Sequence, residues 1–123
     1  MIIAIDFDGT CVTHEYPKIG KDIGAVDTLR ALVAKGHKLM LWTMRCNKEL
    51  EEAMEWFDQN EISLWSVNEN PTQSWTTSPK QYAHLYIDDT ALGCPLKYDP
   101  WLSKRPYVDW EQVNKYLTSN GII

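Results

Sequence analysis

The chain has 123 residues, of which 44% are hydrophobic and 24% charged, and its formal net charge is −5. That length suits one domain with a single buried core, so we treat residues 1–123 as one unit. The negative charge argues against an extended nucleic-acid footprint, and no apolar run approaches the roughly 20 residues that cross a bilayer. Met1 leads into a strand-like segment and not into a basic leader, which predicts a cytoplasmic protein.

The cysteines, Cys11, Cys46 and Cys94, are odd in number and lack C-x-x-C spacing. This pattern predicts free thiols and argues against a disulfide framework or a thiolate zinc site. Cys11 is expected to be a small packed side chain, with an oxidation-sensitive thiol as the alternative.

The first predicted elements are a strand, a flap and a helix. Residues 2–5 form a β-branched apolar run, typical of a strand buried on both faces of a parallel sheet. The polar, turn-rich segment 9–20 predicts a short flap. Apolar residues at helical spacing then predict a helix from an N-cap at Asp22 to Lys35, ended by Gly36.

Two further strands and a helix are predicted in the middle of the chain. The second strand is predicted over residues 38–42, ending at Thr43, and a helix capped by Asn47 follows it. A third strand is predicted over residues 62–67. The asparagines and proline of residues 68–71 indicate a loop.

The last part of the chain predicts a short helix over residues 80–83, a fourth strand over residues 84–87 and a fifth over residues 107–108. A terminal helix is predicted from an N-cap at Asp109 to Leu117. Strands alternating with helices predict an α/β class, a single-domain three-layer α/β/α Rossmann-like fold with a mainly parallel sheet and helices on both faces.

Several polar residues come at the carboxyl ends of the predicted strands. Asp6 follows the first strand, Thr43 the second and the pair Asp88-Asp89 the fourth, while Lys80 lies just upstream of that last strand. Because parallel strands gather their carboxyl ends along one edge, we expect these side chains to line one crevice.

The residue types favour phosphate chemistry with a divalent ion. Asp6 and Asp8, spaced i and i+2, point to the same side of an extended chain, and Mg²⁺ would offset the charge that they concentrate. Gly9 lets the backbone pass close to a bound phosphate. Lys80 would stabilise the carboxylate and the phosphoryl oxygens, and the Thr43 hydroxyl can donate to one of those oxygens.

These residues, taken in order, resemble the four motifs of the haloacid dehalogenase superfamily. The motifs are Asp6-Phe7-Asp8-Gly9-Thr10 after an apolar strand, Thr43 after the second strand, Lys80, and Ile87-Asp88-Asp89. The resemblance covers residues 1 to about 93. It implies a Mg²⁺-dependent phosphatase, a phosphoric monoester hydrolase.

The resemblance also implies a role for each residue. Asp6 would be the nucleophile that forms an aspartyl-phosphate, and Asp8 the general acid and then base, whose main-chain carbonyl also binds Mg²⁺. Asp6 with one or both of Asp88 and Asp89 would complete the metal ligands. Since adjacent strand residues point to opposite sides, we expect only one of that pair to bind directly.

The chain is too short between its motifs for the cap that superfamily members usually carry, so it resembles the capless subgroup. That subgroup includes protein phosphatases and the phosphatase part of phage polynucleotide kinase. Thr90 stands where the latter has an arginine, so a nucleic-acid 3′-phosphate substrate is not implied. An open site admits a small phosphate ester or an exposed macromolecular end, and oligomerisation could supply a lid.

Alternatives remain for single residues and for the function. Arg45 either reaches substrate or pairs with Glu49 one helical turn on. Lys38 and Lys97 compete with Lys80 for its role. A phospho-receiver domain uses similar groups, but its acceptor aspartate would end the third strand, where this chain has Val67-Asn68. A non-catalytic binding module on the same fold is the other alternative.

Overall fold

The computed structural model describes all 123 residues, in six strands and three helices. The strands are β1 (Ile2–Ile5), β2 (Lys38–Leu41), β3 (Ser66–Val67), β4 (Leu85–Ile87), β5 (Leu96–Lys97) and β6 (Tyr107–Val108). The helices are α1 (Ala25–Ala34), α2 (Asn47–Gln59) and α3 (Trp110–Ser119).

Four of the strands form a parallel sheet in the order β3-β2-β1-β4. Ile3 of β1 lies opposite Leu39 on one side and Leu85 on the other, so β1 is central. The remaining two strands, β5 and β6, pair in antiparallel fashion. Val108 of this pair donates its main-chain N–H to the carbonyl of Gly9 at 3.0 Å, which fastens the hairpin to the segment after β1.

The alternation of side chains along β1 divides the core between the two faces of the sheet. Ile3 and Ile5 belong to a cluster that contains buried residues of all three helices, such as Leu29, Phe57 and Leu117. A smaller cluster on the other face joins the buried residues Ala4, Met40 and Ala83. The helices therefore cover one face, and the connection from β3 to β4 covers the other.

The predicted α/β class, with a mainly parallel Rossmann-like sheet and no cap domain, is confirmed. The short helix predicted over residues 80–83 is wrong, so the third layer is irregular chain and not helix. Side chains take the N–H groups that a helix would use: Tyr82 donates to Gln73 Oε1 and Ala83 to the Tyr86 hydroxyl.

Other boundaries also differ from the prediction. Asn47, the predicted N-cap of the second helix, is the first residue of α2, and the N-cap is Cys46. The third strand is limited to Ser66–Val67, because Ile62 donates its N–H to Phe57 and completes the end of α2. Helix α1 begins three residues after Asp22, whose side chain accepts from the N–H of Gly24.

The predicted N-cap of the last helix is confirmed, since the Asp109 side chain accepts from Gln112 N at 3.3 Å. The three cysteines are free thiols, as expected, and Cys11 is fully buried. None of the three helices combines the length and the apolar character needed to cross a bilayer.

Candidate active site

A cleft of ≈ 460 Å³ lies at the carboxyl edge of the parallel sheet. Its walls include Asp6 and Asp8 after β1, Thr43 after β2, and Asp88 and Asp89 after β4. The topology thus brings together the strand-end residues that the sequence singled out.

Three carboxylates form the floor of this cleft. Oxygen atoms of Asp6, Asp88 and Asp89 all lie within 4.8 Å of one another. Burial, with added repulsion from the two neighbouring carboxylates, raises the pKa of Asp6 to about 8. Burial likewise raises the pKa of Asp89. A hard divalent cation with oxygen ligands suits this donor set and would favour the ionised carboxylates.

Both members of the Asp88-Asp89 pair place a carboxylate oxygen in the cluster. That only one of them binds an ion directly stays a prediction. The alternation of a strand does not apply to them, because β4 ends at Ile87. Asp88 Oδ1 accepts from the N–H and the hydroxyl of Thr90, at 2.9 and 2.8 Å. Thr90, which occupies the position of an expected arginine, therefore orients a carboxylate in this chain.

Thr10 and Gly9 hold two of the carboxylates in place. The fully buried Thr10 donates its hydroxyl to Asp6 Oδ2 at 2.7 Å and accepts from Asp89 N at 3.0 Å. Gly9 has a φ of 80°, and a Cβ there would overlap the Asp89 carboxylate. Thr10 is itself fixed by Trp110, whose indole N–H donates to the Thr10 carbonyl at 2.7 Å.

Asp8 is held by a buried arginine and not by the acidic cluster. Arg45 donates from Nε to Asp8 Oδ2 at 2.8 Å and from Nη2 to Oδ1 at 2.7 Å. Its other three N–H groups donate to the carbonyls of Pro17, Lys18 and Glu49. All five donors are used and the side chain is 1% exposed, which argues against the first alternative for Arg45, direct contact with substrate. The second alternative, pairing with Glu49, is found only with the main-chain carbonyl of that residue.

Thr43 is positioned to donate into the cleft. Its N–H donates to the side chain of Asn68 at 2.8 Å, and its hydroxyl oxygen accepts from the N–H of Arg45 at 3.1 Å. The hydroxyl hydrogen is left for another acceptor. This geometry agrees with the predicted hydrogen bond from Thr43 to a phosphoryl oxygen.

Lys80 does not line this cleft, which corrects its predicted placement. It lines a separate hollow with Trp75, Tyr82 and Tyr86. Lys80 precedes β4 by five residues and therefore lies toward the amino ends of the strands, whereas the carboxylates follow their carboxyl ends.

The cleft contains a different cation, Arg105, which was not predicted from the sequence. Its Nη2 lies 3.8 Å from Asp89 Oδ2, and its side chain is 48% exposed. Arg105 comes just before β6, in a region that reads as loop, so no motif marks it. His14 and Tyr16 of the flap also line the cleft, although sequence alone gave them no firm role.

A capless α/β domain with a carboxylate cluster at the edge of its sheet is the class that this fold and site define. The chain resembles a solved structure described as a conserved protein coded by a locus of Bacteroides thetaiotaomicron. The two are 34% identical, with a TM-score of 0.79, over 98% of this chain and 91% of the other. The chain belongs to the family of that conserved protein. No protein-family model and no curated protein matches the sequence.

Proposed function

We propose that this protein is a cytoplasmic, Mg²⁺-dependent phosphatase of the haloacid dehalogenase type that hydrolyses a phosphate monoester. The observation that carries the proposal is the convergence of Asp6, Asp88 and Asp89 within 4.8 Å at the edge of a parallel sheet. Three carboxylates from two strand ends match the oxygen ligands of Mg²⁺ and the ordered motifs of the superfamily.

In this proposal the carboxylates of Asp6, Asp88 and Asp89 and the main-chain carbonyl of Asp8 would hold the ion. The ion would neutralise part of the charge of the cluster and of the phosphoryl oxygens. Asp6 would then be able to approach the phosphorus atom of an anionic phosphoryl group. Thr43 donates its hydroxyl hydrogen to one of the phosphoryl oxygens.

The reaction proceeds in two displacements at phosphorus. First a carboxylate oxygen of Asp6 bonds to phosphorus while the bond to the leaving oxygen breaks, and Asp8 gives that oxygen a proton. A water molecule then attacks the aspartyl-phosphate, Asp8 takes its proton, and the Asp6 carboxylate leaves. Each Asp8 oxygen has a second lone pair beyond the one used by Arg45, and that lone pair can serve this proton transfer.

The substrate is a small phosphate ester or an exposed macromolecular end. No cap lies over the cleft, and the cleft volume of ≈ 460 Å³ is within the range of small-molecule sites. The chain would act without an extended nucleic-acid footprint, because its net charge is −5.

A non-catalytic module that binds a divalent ion is the second candidate. The observation in its favour is the complete use of the Arg45 guanidinium around Asp8, which restrains the residue that must move protons. This candidate predicts Mg²⁺ binding without release of phosphate from any ester.

Phosphate release from a panel of phosphate esters, with Mg²⁺ and with a chelator, tests the proposal. We expect Mg²⁺-dependent turnover that Asp6→Asn lowers roughly 10³-fold or more, because it removes the nucleophile. Asp58→Asn is the matched control, since Asp58 is an exposed carboxylate on α2, and should keep wild-type activity. Turnover that survives in Asp6→Asn would refute the nucleophile, and Mg²⁺ binding without any turnover would favour the second candidate.

A further inference from the structure

In the cleft, Arg105 is the arginine whose guanidinium N–H groups have no acceptor within the protein. Its guanidinium makes no hydrogen bond within the protein, and its 3.8 Å distance to Asp89 is longer than a hydrogen bond. Arg45, in contrast, uses all five donors and is 1% exposed, against 48% for Arg105. A ligand in the cleft would therefore find an available guanidinium only at Arg105.

The backbone around Arg105 is fixed although its side chain is not. The N–H of Arg105 donates to the hydroxyl of the buried Ser103 at 3.3 Å. Three residues further on, Val108 donates to the carbonyl of Gly9 at 3.0 Å. The hairpin thus presents Arg105 beside the segment that carries Asp6 and Asp8, on a support that does not depend on the arginine side chain.

The charge of the site favours such a cation. The carboxylates of Asp6, Asp88 and Asp89 carry three negative charges when ionised, and a divalent ion leaves one of these unbalanced. Asp8 and Arg45 balance each other. A phosphate monoester carries close to two negative charges at neutral pH, as a phosphorylated hydroxyl side chain does. The one uncompensated carboxylate charge would therefore repel it. The positive charge of Arg105 compensates that carboxylate charge.

We propose that Arg105 binds two oxygens of the substrate phosphoryl group and supplies the positive charge that the sequence assigned to Lys80. The proposal rests on the proposed phosphatase function and extends it by naming a substrate-binding residue beyond the four motifs. The planar guanidinium matches two phosphoryl oxygens at once, which an ammonium group cannot do.

The proposal predicts opposite effects on two ligands. A positive charge 3.8 Å from Asp89 repels a divalent ion, so Arg105→Ala should bind Mg²⁺ as tightly as the wild type or more tightly. The same variant should bind phosphate more weakly by about 10- to 100-fold, because charge-assisted hydrogen bonds are lost. A purely structural role of Arg105 would weaken the binding of both ligands.

Titration calorimetry with Mg²⁺ alone, and with orthophosphate or vanadate in the presence of Mg²⁺, measures both effects. Arg105→Lys should lie between the wild type and Arg105→Ala. Lys104→Ala, which removes an exposed neighbouring charge, and Lys80→Ala should bind both ligands like the wild type. Where esters are hydrolysed, Arg105→Ala should raise KM by a similar factor.

Unchanged phosphate binding in Arg105→Ala, loss of both ligands, or a wild type that binds neither anion would overturn the proposal. The proposal would also be overturned if Lys80→Ala weakened anion binding and Arg105→Ala did not. The outcomes separate this proposal from the proposed function. A wild type that hydrolyses no ester but binds phosphate through Arg105 would overturn only the function, and turnover with an unaffected Arg105→Ala would overturn only this assignment.

Discussion

Two small residues behind the cleft determine where its carboxylates lie. Thr10 links Asp6 to Asp89 through one hydroxyl group, and Gly9 leaves the space that the Asp89 side chain occupies. Residues 6–10 therefore contribute more to the site than the carboxylates of Asp6 and Asp8. Gly9 and Thr10 also position Asp89, which is 79 residues away from Thr10 in the sequence.

Gly9→Ala should lower the unfolding free energy by more than the strain of a left-handed backbone alone. Gly36→Ala is the matched control, because Gly36 has a φ of 88° and open space where its Cβ would lie. Each variant should lose about 1 kcal/mol of unfolding free energy from an unfavourable φ. Gly9→Ala should lose more, and should also bind Mg²⁺ more weakly, because Asp89 must move.

Urea unfolding and Mg²⁺ calorimetry on the two variants measure these effects. Equal losses of stability, together with wild-type Mg²⁺ affinity in Gly9→Ala, would mean that the Asp89 contact does not shape the site.

At the scale of elements, Arg45 joins three parts of the chain. It follows β2, it pairs with Asp8 after β1, and it donates to the carbonyls of Pro17 and Lys18 in the flap. The flap, residues 9–20, contains no helix or strand of its own. A single buried guanidinium therefore attaches the Pro17 and Lys18 end of the flap to the body of the domain.

Arg45→Ala should lower the unfolding free energy by about 3–5 kcal/mol, since it leaves Asp8 and the flap carbonyls without their donor. Trypsin should then cleave after Lys18 faster than in the wild type. Arg30→Ala is the control: Arg30 is exposed and makes one hydrogen bond, to Asn60, so its loss should cost less than about 1 kcal/mol.

Chemical denaturation and timed proteolysis give both results. A flap that resists trypsin equally in Arg45→Ala and in the wild type would show that other contacts hold it.

The strand ends were the most predictable part of the site. Asp6, Thr43 and Asp88 follow β1, β2 and β4, and parallel topology alone is enough to bring such residues to one edge. The cations were not predictable in the same way. Lys80 has the right order along the chain but lies beyond the amino end of β4, whereas Arg105 reaches the cleft from a hairpin that no motif marks.

The hydrogen bonds of Arg45 could not be predicted from the sequence either. Three of its five donors are bound by main-chain carbonyls, which every residue carries and which no side-chain pattern reveals. Similarly, the N–H groups of Tyr82 and Ala83 are taken by side chains of Gln73 and Tyr86, so the helix that Pro79 favoured does not form. The fold class follows from hydrophobic periodicity, whereas these local hydrogen bonds depend on tertiary contacts.

At the scale of the whole molecule, the acidic cluster couples stability to pH and to metal. The folded-state pKa of Asp6, about 8, lies above the ordinary value of 3.8. A raised pKa contributes stability that is complete below the unfolded value and is lost as the pH rises through about 8. The metal-free protein should therefore lose stability between about pH 4 and pH 8, through Asp6 and also through Asp89.

Asp6→Asn should reduce this pH dependence, and at pH 8 without metal it should be more stable than the wild type by about 1–3 kcal/mol. Mg²⁺ should stabilise the wild type more at pH 8 than at pH 5, because it binds the ionised carboxylates. Urea unfolding across this pH range, with a chelator and with Mg²⁺, gives the comparison. If the difference in unfolding free energy between wild type and Asp6→Asn does not change with pH, the pKa of Asp6 is not raised in the folded protein.

The central claim is that Asp6 accepts a phosphoryl group, and intact-mass spectrometry after a rapid acid quench tests it most directly. With a hydrolysed ester and Mg²⁺, the wild type should gain the mass of one phosphoryl group, and fragmentation should place that group on Asp6. Asp6→Asn should gain nothing, whereas Asp58→Asn should behave like the wild type. Turnover without any phosphorylated protein, or a phosphoryl group on another residue, would contradict the claim.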